Sequence, residues 1–76
     1  MFQRLTRVSY RGARVGDKVL ILYGENKRKV GQIRRIAKGD MFPFKVKVEG
    51  LPTIISYSKM DFRVLKDEWI QEGETR

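Results

Sequence analysis

Phe44–Gly50 reads FKVKVEG, and its strict alternation limits the fold more than any other stretch of the chain. Phe44, Val46 and Val48 share one face, and Lys45, Lys47 and Glu49 share the other. That is the period-2 pattern of a half-buried strand. From Asp17 the run DKVLILY is rich in β-branched and large apolar residues and stops at Gly24, which makes it a strand as well. Val30–Ile36 (VGQIRRI) turns Ile33 and Ile36 inward if a bulge between Arg34 and Arg35 absorbs their odd spacing. Gln32, Arg34 and Arg35 then face water. Thr53–Tyr57 gives a fourth strand after the Leu51-Pro52 break, Ser58–Asp61 a single helical turn, and Phe62–Val64 a short fifth strand. No segment holds helical periodicity long enough to cover a sheet face. The expected fold is all-β: a small five-stranded barrel with a short helical turn before the last strand. Closure suits so small a sheet because open edges invite aggregation.

The barrel is expected over residues 15–66. Residues 1–14 have two open readings, a basic arm that orders on binding or an added strand over Arg7–Tyr10. Phe2 and Leu5 have helical spacing there, whereas Val8 and Tyr10 have strand spacing. Residues 67–76 form a C-terminal tail. Lys66–Glu72 is the best helix candidate, ended by Gly73, and its Trp69 is expected to pack against the barrel end. Alternation puts Leu20 and Leu22 outside if Val19 and Ile21 face the interior. Either Phe2, Leu5, Val8 and Trp69 cover them, or they form a contact surface.

The chain has 76 residues, enough for one domain. A domain of this size buries only about 60% of the surface its unfolded chain exposes. With 41% hydrophobic residues it is too apolar for a disordered chain. No apolar run approaches the ~20 residues of a membrane-spanning helix. There is no cysteine and no histidine, which removes disulfides, thiol chemistry, a histidine base and ordinary zinc or haem ligation. No cofactor and no metal is expected. A fold without disulfide support suits a reducing cytoplasm. Arg4, Arg7, Arg11 and Arg14 without an acid have the composition of a mitochondrial leader, but the run is short and leads directly into the strands.

Val15–Ile36, VGDKVLILYGENKRKVGQIRRI, is similar to the KOW motif of ribosomal and transcription-elongation proteins. The residues that carry the likeness are Gly16-Asp17, Val19, Ile21, Gly24, the basic loop Asn26–Lys29, Gly31, Ile33 and Ile36. Gly16-Asp17 turns the chain into the first strand, and Gly24 permits a positive φ where that strand ends. Gly31 starts the second strand without a side chain against its neighbour. KVKVEGLP (Lys45–Pro52) resembles the strand that follows the motif in the ribosomal large-subunit member of the family. The family usually has glycine after the loop lysine, and here that position is Arg28. The ending Ile55–Leu65 resembles other small SH3-like barrels, including the photosystem I subunit that helps dock ferredoxin. The resemblance implies an SH3-like barrel and a partner within a ribonucleoprotein or another large assembly.

Charge points the same way. Net charge is +8, and it is unevenly spread. Residues 1–38 hold 11 Lys/Arg against Asp17 and Glu25, whereas residues 39–76 hold 6 against 7 acids. A two-ended layout favours a polyanion on one face. The constellation is Lys27, Arg28, Lys29, Arg34, Arg35 and Lys38 on the hairpin, with Arg7 and Arg11 extending it from the arm. Such a patch neutralises several phosphates and releases their counterions. Tyr23, Phe42 and Tyr57 lie near loops, where a base can stack on a ring; their other reading is rim or core packing. Phe44 and Phe62 read as core.

Enzyme chemistry is not expected. Asp40, Glu49 and Asp61 are scattered, and Ser9, Ser56 and Ser58 have no histidine to activate them. The glycines form no phosphate-binding loop with a following helix. Two classes of function follow. The first is a module that binds nucleic acid, RNA or ribonucleoprotein before DNA, through the basic hairpin. The second is a protein-interaction module docking an acidic surface of RNA polymerase, the ribosome or an electron-transfer assembly. Leu20, Leu22, Phe42 and Tyr57 would anchor that second kind of contact.

Overall fold

Alternating apolar residues become seven strands in two antiparallel sheets in the structure, a computed structural model that describes residues 8–65. The strands are β1 (Ser9–Tyr10), β2 (Ala13–Arg14), β3 (Lys18–Ile21), β4 (Val30–Ile36), β5 (Phe44–Val48), β6 (Ile54–Tyr57) and β7 (Phe62–Leu65). A single 3-10 turn, Lys59–Asp61, separates the last two. Both the all-β class and the helical turn before the last strand were expected from the sequence. The helix candidate at Lys66–Glu72, with Trp69, lies outside the described residues, as do Phe2, Leu5 and Arg7.

The larger sheet has the order β6-β5-β4-β3-β7. Its two outer strands are consecutive in the chain yet share no ladder among the described residues. Phe44 on β5 and Phe62 on β7 nonetheless meet edge to face, with ring centroids 5.1 Å apart. In a flat sheet those strands would be three spacings apart, about 14 Å. The sheet is therefore strongly curled, and its concave face encloses the core. Val19, Ile21, Ile33, Phe44, Val46, Val48 and Phe62 fill that face, and Tyr57 joins them.

The expected bulge is present, with the register shift between Ile33 and Arg35 and Arg34 unpaired. Ile33 pairs with Val46 and Arg35 with Lys45, so one extra residue is accommodated on β4. Ile33 is fully buried and Ile36 half-buried, while Gln32, Arg34 and Arg35 stay exposed. Without the extra residue, a strict period of two would send Ile33 and Ile36 to opposite faces. Leu20 and Leu22 are half-buried.

The first two strands form a hairpin. Arg11 and Gly12 both have positive φ, 52° and 83°, the signature of a two-residue type I′ turn. Ala13 is completely buried, and the Tyr10 ring lies 5.9 Å from that of Phe44. Residues 8–14 thus add their own strand pair to the core. Gly16 (φ 100°) then turns the chain into β3, where the Asp17 carboxylate accepts a hydrogen bond from the Arg14 amide at 2.9 Å.

Candidate nucleic-acid interface

The β3–β4 loop is held by its own backbone before any ligand arrives. The Arg28 amide donates to the Ile21 carbonyl at 2.7 Å, and the Ile21 amide to the Lys29 carbonyl at 2.9 Å. Lys27 donates to Gly24, and Lys29 to Asn26. The Asn26 side-chain amide reaches the Tyr57 hydroxyl at 3.3 Å and ties the loop to β6. Lys27, Arg28 and Lys29 project outward from this scaffold and are exposed. Arg28 has φ 75°, a left-handed conformation that is uncommon outside glycine.

Along β4 the bulge has a second effect. Consecutive strand residues normally face opposite ways, but Arg34 and Arg35 are both exposed. Past Ile36, hydrogen bonds from Ala37 to Pro43 and from Asp40 to Ala37 close the next loop, with Lys38 exposed on it. The Lys38 ammonium stands 5.8 Å from the centre of the Tyr10 ring, and the Arg11 guanidinium 5.2 Å from the same ring. The cations form a stripe: Lys27–Lys29 at one end, the arginine pair on β4, then Lys38 and Arg11. Lys29 and Arg35 are separated by roughly 20 Å of extended chain. Arg7 lies outside the described residues.

Acidic partners for these charges are few among the described residues. Among the described residues, Lys45 and Asp40 make an ion pair at 3.0 Å, and no stripe cation makes one with another described residue. Lys45 also donates to the Phe42 carbonyl (2.9 Å) and the Ser56 hydroxyl (3.1 Å), so it pins the β4–β5 loop to β6. No group of three acidic side chains among the described residues gathers to hold a metal ion. No described helix is long and apolar enough to cross a membrane.

The aromatics divide by exposure. Tyr23 and Phe42 are exposed, 61% and 46%. Tyr57 is buried in the core, with its hydroxyl taken by Asn26. Tyr10, which sequence reading did not single out as a contact residue, is the ring that two stripe cations approach. The available signal was the Val8/Tyr10 alternation running into Arg11-Gly12, a turn placing the ring beside an arginine.

No protein-family model, curated protein or solved structure matches the chain.

Proposed function

We propose that the chain is a non-enzymatic, cytoplasmic nucleic-acid-binding module, with RNA or ribonucleoprotein preferred over DNA. Its scaffold is read as a small SH3-like barrel of KOW type. The strand order β6-β5-β4-β3-β7, the 3-10 turn joining the two outer strands and the Phe44–Phe62 contact support that reading. The observation that carries the function is the stripe of exposed cations on the β3–β4 hairpin and the loop that follows it. A backbone-fixed loop and a bulge that exposes two arginines side by side offer charge at small entropic cost to the ligand complex. Phosphates neutralise the stripe and release counterions. Lys27, Arg28, Lys29, Arg34, Arg35 and Lys38 are the phosphate contacts.

The test is binding to single- and double-stranded RNA and DNA at two salt concentrations. With six contacts, affinity for a duplex should fall about 10³-fold between roughly 50 and 200 mM salt. Absence of binding at the lower salt would overturn the proposal. Recovery from cell extract of one protein that survives nuclease treatment would favour docking on an acidic protein surface instead.

A further inference from the structure

We infer that the cleft beside Tyr10 is a subsite for one unpaired base, which makes the ligand single-stranded; this rests on the nucleic-acid reading above. Three separate segments build the cleft: Tyr10 and Arg11 from the first hairpin, Met41 and Pro43 from the β4–β5 loop, and Lys59 and Met60 from the 3-10 turn. Its volume is about 240 Å³. That is below the roughly 300–1,000 Å³ of pockets that enclose whole small-molecule ligands. A single planar ring fits that space.

The chemistry of the walls selects a flat, electron-rich group with anionic neighbours. Met41 and Met60, both in the lining, are 81% and 77% exposed, large apolar side chains held at the surface. Their unbranched, polarizable thioethers adapt to a planar ring. Arg11 and Lys38, both within 6 Å of the Tyr10 ring centre, put positive charge where flanking phosphates would lie. Among the described lining residues the one acid, Asp40, is paired through Oδ2 with Lys45 at 3.0 Å, which offsets its charge.

Continuity decides between occupants. Lys38 belongs both to the cation stripe and to the surroundings of Tyr10, so a strand whose phosphates follow β4 arrives at the cleft without leaving positive charge. Side chains from three segments line the cleft, and an acidic peptide seated there is a separate outcome of the test below. A base within a duplex is stacked and cannot enter, whereas a single strand can splay a base out.

Fluorescence anisotropy with a single-stranded RNA decanucleotide and its duplex, on wild type and M41A/M60A, tests the inference. Both methionines are exposed, so the variant should melt as wild type does. It should lose roughly ten-fold in affinity for the single strand and keep its duplex affinity. Equal loss on both ligands, or no loss on the single strand, overturns the subsite. Loss of affinity for an acidic decapeptide, with single-strand affinity intact, assigns the cleft to a protein partner and also overturns it. A wild-type chain that binds neither RNA at low salt overturns the nucleic-acid reading itself, and the subsite with it.

Discussion

Gly31 lies so close to Val46 that a Cβ at position 31 would stand 2.7 Å from Val46 Cγ1 and 2.9 Å from the Lys47 carbonyl oxygen. The second of these atoms is backbone and cannot swing away. Gly31→Ala is therefore expected to push β4 off β5, with a cost of about 1–3 kcal/mol typical of overpacked cores. Urea unfolding reads it as a lower midpoint at unchanged slope. A midpoint equal to wild type would mean the two strands separate without penalty.

Arg28 carries the opposite expectation. The arginine adopts a glycine-like φ of 75°. For an L-residue that conformation costs roughly 1–2 kcal/mol, while glycine gives back up to about 1 kcal/mol in the unfolded chain. Arg28→Gly should leave stability unchanged or raise it slightly. It should also weaken nucleic-acid binding and make the salt dependence shallower by roughly one phosphate contact. Arg28→Ala keeps the strained backbone and loses the charge, so it should match Arg28→Gly in binding but not in stability. Equal affinity of wild type and both variants would exclude Arg28 from the interface.

Replacing Arg34 and Arg35 together probes the stripe at its centre. Both side chains are exposed, so R34A/R35A should fold normally. The slope of log affinity against log salt should shrink by about 1.4 for a single strand and 1.8 for a duplex. An unchanged slope would move the phosphates elsewhere on the protein.

Lys45 ties three groups together: the Asp40 carboxylate, the Phe42 carbonyl and the Ser56 hydroxyl. Lys45→Met retains most of the stem and loses the three contacts, for a loss of about 1–3 kcal/mol. Amide hydrogen exchange should quicken over residues 37–43, because the loop no longer has its anchor on β6. Protection equal to wild type there would show that the Ala37–Pro43 and Asp40–Ala37 backbone bonds hold the loop unaided.

Much of the sheet was legible because each strand carries its burial pattern within itself. Phe44, Val46 and Val48 are buried, and the lysines between them are half-buried, as strict alternation requires. Ile33 and Ile36 pointed to the bulge because their spacing fits no continuous strand. The β1–β2 hairpin was not decided, since two-residue strands are too short to hold a period, and its turn begins with arginine where asparagine or glycine is the usual signal. Core packing was one of the two readings open for Tyr57, and the structure takes it; its hydroxyl partner was out of reach, because Asn26 arrives from a loop 31 positions earlier. The cleft beside Tyr10 draws on three separated segments, and no local pattern encodes such a meeting.

The position of β3 has a consequence for how the chain is made. It is flanked by β4 on one side and β7 on the other, and Val19 and Ile21 pair across the outer boundary with Val64 and Phe62. During synthesis β3 emerges early and β7 after every other strand of the sheet. In the interval a row of backbone groups beside buried aliphatic residues has no native partner, the arrangement most prone to pairing with another chain. Pairing of distant segments also makes folding slow. A nascent chain halted before Phe62 would hold that sticky margin open, so the quality of a cell's supply of this protein rests on the four residues that arrive to cover it.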